Sequence, residues 1–343
     1  FNLILSFTKI CIIILIYFDF MKIIIFYIKI ILDAYRHTKR VITHFKLVSL
    51  NGLVIIPKLF FIRLMYSLSF FRNLIKIRIT GNCSFDDYLE EKEIYSKEIT
   101  EKMDTDGCTN TYKLKKELKD SLIKEIFLNK DVKNKRDNDE RIDPKILIKE
   151  NNEDLTSYFK RLEINKVSRI TSFIDLKKNS AIKSLLVSKP IISLAKSYLN
   201  TDTLSISAAF FVSTPGKISK EEKYANAQYF HWDNDFSKFF KLYIYLTDVD
   251  DDSGPHIFIP KSHKKKFFES SLARLFDDKL IYNTYNDKIK YTGKSGSIFF
   301  TDGYGLHKAE TPKKNSRLII NAHFGRGKIF YSKNDILYKN AIS

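Results

Sequence analysis

Two regions of this chain, far apart in sequence, are built the same way: short aromatic and β-branched runs separated by tight turns. In the first, Tyr229, Phe230 and Trp232 favour a strand, Lys238 to Asp248 (KFFKLYIYLTD) reads as a core strand, and Asp250-Asp251-Asp252-Ser253-Gly254-Pro255 reads as a turn. In the second, Gly296 to Thr301 reads as a strand, Asp302-Gly303-Tyr304-Gly305 as a turn, and Ser316 to Phe324 (SRLIINAHF) as another strand. Such a chain is directed towards a β-rich core. Each region also carries a candidate metal ligand. Residues at i and i+2 of a strand share a face, so His231 and Asp233 can reach one ion together. His307 supplies a second imidazole. Two imidazoles and one carboxylate cap one face of an octahedral Fe(II) ion and leave the opposite face open for chemistry.

His-x-Asp alone is a weak signal in a chain with 7 histidines. The bland reading is a pair of strand-end histidines and a solvated aspartate, and the patterned surroundings weigh against it. Arg317 adds to them. A strand laid beside that of His307 would carry its guanidinium back towards the metal, where the planar fork suits a carboxylate. An arginine so placed implies an anionic co-ligand.

Four stretches in order, Gln228 to Asp235 (QYFHWDND), Lys241 to His256 (KLYIYLTDVDDDSGPH), Pro260 to Lys264 (PKSHK) and Tyr304 to Phe324, resemble the phytanoyl-CoA dioxygenase-like branch of the Fe(II)/2-oxoglutarate oxygenases. The resemblance runs from about Thr105 to Phe324. It implies a mainly β fold with flanking helices, a double-stranded β-helix of the jelly-roll, cupin-like kind. It implies His231, Asp233 and His307 as iron ligands and Arg317 as the partner of the distal carboxylate of 2-oxoglutarate. It further implies O2-dependent conversion of 2-oxoglutarate to succinate and CO2, coupled to hydroxylation of a small-molecule or lipid-like substrate. Related halogenases lack the carboxylate ligand, so Asp233 favours hydroxylation. Gln228, Lys241 and Tyr243 are candidates for polar contacts to 2-oxoglutarate or substrate. Two departures stand out: Lys308 and Ala309 replace the glycine and small hydroxyl residue that often follow the distal histidine, and the spacing from His307 to Arg317 is one residue shorter than in several members.

The remaining histidines have plainer readings. His256 follows a Ser-Gly-Pro turn and is expected to orient a loop, His263 to hydrogen-bond backbone at a corner, and His323 to sit in the core. Two other function classes compete: a non-catalytic jelly-roll scaffold with a vestigial metal site, and a basic module for nucleic acid or membrane. A net charge of +18 invites the second. However, the basic clusters Arg36 to Arg40, Lys264 to Lys266 and Lys313-Lys314 are local and form no stripe with interleaved aromatics, so no specific nucleic-acid partner is expected. An anionic substrate remains compatible with the charge. Three cysteines without C-x-x-C spacing favour a reducing compartment.

The organisation expected is an apolar and basic N-terminal extension over 1–95, an oxygenase domain over 96–335 and a tail over 336–343. Met21 is the first methionine, so two readings of 1–20 stand side by side, an untranslated stretch before the start and the end of a fragment. The apolar run from Met21, punctuated by Lys22, Lys29, Arg36, Lys39 and Arg40, suits a helix lying on an anionic membrane surface as well as one packed on the domain, and were it to span, the basic flank Arg36 to Arg40 would place the enzyme in the cytoplasm. Within the domain, Leu114, Leu118, Leu122 and Ile126 predict an amphipathic helix over 111–127. Residues 129–154 read as a charged exposed insertion, 180–199 as helix restarted at Pro190, and 203–213 as the opening strand of the sheet.

Overall fold

The computed structural model describes residues 73–128, 150, 153–178, 180–233, 238–266, 275–326 and 336–339. Residues 1–20, the apolar and basic run from Met21 and nearly all of the charged insertion lie outside these residues. Among the described residues, no helix is long and apolar enough to cross a membrane. The described residues other than Lys266 form one compact unit.

Its frame is a pair of antiparallel sheets. The larger contains β1 (Tyr112–Lys113), β2 (Arg169–Phe173), β3 (Thr203–Ser213), β5 (Phe239–Tyr245), β9 (Ser297–Thr301), β11 (Arg317–Arg326) and β12 (Ile336–Lys339). Its order is β1-β9-β5-β11-β3, and the far edge of β3 is shared by β12 and β2. The smaller sheet is β7-β4-β10-β6-β8, formed by β4 (Phe230–His231), β6 (His256–Phe258), β7 (Leu275–Phe276), β8 (Ile289–Tyr291) and β10 (His307–Ala309). This two-sheet antiparallel arrangement is the expected jelly roll.

The central strands are apolar on both faces because both faces are covered. On one face Leu242, Ile244, Ile298, Phe300, Leu318, Ile320, Phe210 and Val212 share a core with residues of the helices α1 (Ser96–Asp106), α2 (Lys116–Leu128), α4 (Ala181–Leu186) and α5 (Lys189–Leu199). Facing the other way, Tyr243, Tyr245, Phe299 and Ile319 pack with Phe258 and Tyr291 of the smaller sheet. Between α2 and α4 in the chain, helix α3 (Leu155–Ile164) is capped by Asp154, whose carboxylate accepts from Ser157 N–H.

Residues 73–95, assigned above to the N-terminal extension, pack into this unit. Phe85 and Leu89 are buried, and Leu89 bridges Leu114. That bridge also corrects the helix expected over 111–127. Tyr112–Lys113 pairs with Ile298 and Ser297, Leu114 donates its N–H to Gly296, and the helix starts only at Lys116. Leu114 keeps the four-residue spacing of a helix face, but the sheet edge takes up its backbone.

One turn holds the chain in a left-handed conformation beside the site. Gly254 has φ +71°, and a Cβ there would lie 2.4 Å from the Glu310 carbonyl oxygen and 2.7 Å from the Pro312 nitrogen. Backbone cannot yield as a flexible side chain would. Gly254→Ala is expected to lower stability by at least about 2 kcal/mol, from strain plus overpacking. Urea unfolding checks this, and an unchanged midpoint would count against the turn described.

Candidate metal centre

β4 is two residues long, yet it fixes His231 by pairing it directly with His307 across the antiparallel β10. Their rings lie 4.3 Å apart between centroids. Each imidazole is oriented by its own backbone: His231 Nδ1 is 2.9 Å from Tyr229 O, and His307 Nδ1 is 2.9 Å from Gly305 O. A carbonyl only accepts, so both Nδ1 atoms carry the proton and both Nε2 lone pairs are free to ligate. Burial, with the neighbouring His307, pushes the His231 pKa down to about 3, so this imidazole stays neutral at ordinary pH.

Asp233 completes the cluster. Its N–H donates to Gly303 O at 2.8 Å, which fixes it against the loop preceding β10. Its carboxylate lies 3.3 Å from His307 Nε2 and 3.9 Å from His231 Nε2, and the three ligand atoms lie within 4.8 Å of one another. Burial acts to raise the Asp233 pKa, but the Lys241 ammonium outweighs it and holds the carboxyl well below its usual range. Two imidazoles and one ionised carboxylate form a donor set that fits Fe(II).

The loop 302–305 is built to close packing. Cβ atoms at Gly303 and Gly305 would lie 2.1 Å from the Phe239 ring and 2.3 Å from the Phe258 ring. Asp302 accepts from Tyr198 OH at 2.5 Å and from Tyr304 N–H at 2.8 Å. Ser262, in the Pro-Lys-Ser-His stretch, accepts from Leu306 N–H at 2.7 Å and donates to Ile259 O at 2.6 Å, so it braces the residue before His307. His263 Nε2 bonds the Asp104 carbonyl at 3.1 Å, the backbone role expected of it.

Arg317 reaches the barrel interior by a different route from the one expected. Its strand does not lie beside that of His307: β10 belongs to the smaller sheet and Arg317 opens β11 in the larger. The chain crosses between sheets after β10, so the guanidinium approaches from the opposite wall. It is 4% exposed, donates from Nη1 to Gly254 O and hydrogen-bonds Tyr245, while its buried Nε has no hydrogen-bond partner. A buried, unsatisfied guanidinium N–H fits an anionic co-substrate such as 2-oxoglutarate.

The other candidates separate. Lys241 pairs directly with Asp233 Oδ2. Tyr243, on the same face of β5, hydrogen-bonds Asn321 and stacks on Phe299 at 5.1 Å; burial raises its pKa. Gln228 accepts from Thr311 Oγ1 at 2.6 Å. His256, read from sequence as a loop-orienting residue, is buried in the barrel with its ring 4.5 Å from Tyr243 and 5.5 Å from His307. Burial, then the charges of His307, Lys241 and Arg317, push its pKa well down, so it too is neutral.

The sequence profile of the family described as phytanoyl-CoA dioxygenase (PhyH) matches residues 126–316, more than half of the chain and an interval containing His231, Asp233 and His307. The chain belongs to the phytanoyl-CoA dioxygenase family. Solved structures similar to it include the non-heme alpha ketoglutarate dependent carbocyclase SnoK from nogalamycin biosynthesis, at 14% identity over 76% of this chain and 100% of that one, with a TM-score of 0.45. HygX from Streptomyces hygroscopicus, solved with nickel, 2-oxoglutarate and hygromycin B, is 13% identical over 69% and 88%, with a TM-score of 0.44. EctD from S. alaskensis in its apoform is 14% identical over 69% and 80%, with a TM-score of 0.43. No curated protein matches the chain. Members of the phytanoyl-CoA dioxygenase family use Fe(II), 2-oxoglutarate and O2, the cofactors this donor set and the buried arginine fit.

Proposed function

We propose that this protein is an Fe(II)/2-oxoglutarate-dependent oxygenase that hydroxylates a small-molecule or lipid-like substrate. The observation that carries the reading is the cluster itself: two Nδ1-protonated imidazoles and an ionised carboxylate gathered within 4.8 Å inside the barrel. His231, Asp233 and His307 would hold the iron, and Arg317 would take the distal carboxylate of 2-oxoglutarate. When bound, iron and 2-oxoglutarate supply the O2-dependent oxidation of a C–H bond, with succinate and CO2 as co-products. The chain's own contribution is orientation and exclusion of water. Tyr229 O and Gly305 O keep the imidazole tautomers fixed, Lys241 keeps the carboxylate ionised, and Tyr243, Phe299 and Phe258 form a buried apolar cluster. Cys83 and Cys108 are free thiols, in keeping with a reducing, cytoplasmic setting for ferrous iron.

One observation favours a second reading, a scaffold with a vestigial site: the Lys241 ammonium already supplies Asp233 with a cation. Anaerobic titration with Fe(II) and 2-oxoglutarate separates the two. The oxygenase reading expects a visible metal-to-ligand charge-transfer band that is lost in His231→Ala. A folded protein that gives no band is a scaffold.

A further inference from the structure

We propose that His256 is a second binding residue for the distal carboxylate of 2-oxoglutarate, acting beside Arg317. The inference rests on the oxygenase reading above and adds to it a residue that the sequence had assigned to loop geometry. Two side-chain nitrogens near the centre of the barrel are buried without a hydrogen-bond partner: Nε of Arg317 and Nε2 of His256. Leaving such groups unpaired costs about 1–3 kcal/mol each, so a buried pair of them marks a place where a ligand is expected.

The two residues are tied to one framework. Tyr245 OH accepts the His256 backbone N–H at 3.0 Å and also hydrogen-bonds Arg317. Arg317 in turn donates to the carbonyl of Gly254, two residues before His256. On the strand, His256 and Phe258 share the face that looks into the barrel. Phe258 stands opposite His307, and His256 stands opposite Ala309. A methyl at 309 leaves the space over this pair to the imidazole. The ring is held in place by aromatic neighbours, Tyr243 at 4.5 Å, Phe299 at 5.7 Å and Tyr291 at 6.0 Å, so its direction is set before any ligand arrives.

A carboxylate accepts hydrogen bonds and donates none. It therefore selects the His256 tautomer with hydrogen on Nε2, takes that N–H on one oxygen, and leaves the other oxygen for the guanidinium. The competing explanation is a core histidine that only fills the aromatic stack. The two differ in what they do to keto acids that lack the distal carboxylate.

The test measures affinity through the charge-transfer band of the anaerobic Fe(II) protein, with 2-oxoglutarate and with 2-oxobutyrate, in wild type, His256→Leu and His256→Gln. The expected result is a weakening of 2-oxoglutarate by about tenfold or more in His256→Leu, the loss of one charge-assisted hydrogen bond, with 2-oxobutyrate little changed. His256→Gln keeps an amide N–H donor and is expected to recover most of the loss. If His256→Leu does not fold, His256→Phe, which suits the stack, replaces it in the same comparison. Equal weakening of both keto acids, or unaltered 2-oxoglutarate affinity, overturns the role of His256 alone. A wild-type protein with no band overturns the oxygenase reading and this proposal with it.

Discussion

Asp233→Ala is expected to abolish Fe(II)-dependent decarboxylation of 2-oxoglutarate, with succinate falling to the level of a metal-free control. Loss of a hydrogen-bond partner of a ligand already weakens metal binding about 10–100-fold, so removal of a ligand is expected to exceed that range. The anionic charge that offsets the metal disappears, and the two imidazoles that remain bind from one side only. The same substitution strands the Lys241 ammonium, whose side chain is 14% exposed. Breaking a buried ion pair costs about 3–5 kcal/mol, and partial hydration of this ammonium keeps the cost at or below the lower end. The double variant Asp233→Ala, Lys241→Met separates the two effects: stability returns because no unpaired charge is left, and turnover does not. Thermal unfolding and succinate release are the measurements. Succinate production in the single variant equal to wild type would remove Asp233 from the metal site.

The sequence made the larger sheet readable because its strands have two covered faces. β3, β5, β9 and β11 are runs of aromatic and β-branched residues, and the expected ranges fall within a few residues of those observed. The smaller sheet was less legible. Its strands are two or three residues long, too short for a period to emerge, and β4 stood out only because it carries His231. Sheet membership was not legible at all. A strand following His307 is as consistent with a neighbour in the same sheet as with a crossover to the other, and only the pairing register shows that Arg317 comes from the far wall. His256 was passed over for the same physical reason. Beside a Ser-Gly-Pro turn a histidine looks local; its position over Ala309 and near His307 is created by two strands that meet only in the fold. Ser262 and Asp302, which brace the loop before His307, act through contacts remote in sequence to Leu306 and Tyr198.

Arg317→Ala is expected to raise the KM for 2-oxoglutarate by about 100-fold, the equivalent of losing a charge-assisted hydrogen bond, while kcat at saturating co-substrate falls much less. The asymmetry follows from position. Arg317 lies on the wall opposite the ligand strands β4 and β10, so it governs where the co-substrate sits more than what the metal does. Arg317→Lys is expected to recover only part of the loss, because an ammonium supplies charge without the planar fork. The substitution to alanine also withdraws the donor from Gly254 O, and a stability loss of about 1–3 kcal/mol should accompany it. That loss is separable, since 2-oxobutyrate, which has no distal carboxylate, is expected to bind both proteins alike. The partnership with His256 gives a stricter check. If both residues hold one carboxylate, adding His256→Leu to Arg317→Ala weakens 2-oxoglutarate by less than the product of the two single effects, because contacting residues do not act additively. A fully multiplicative loss would mean that they serve different groups, and an unchanged KM in Arg317→Ala would move the co-substrate anchor away from β11 altogether.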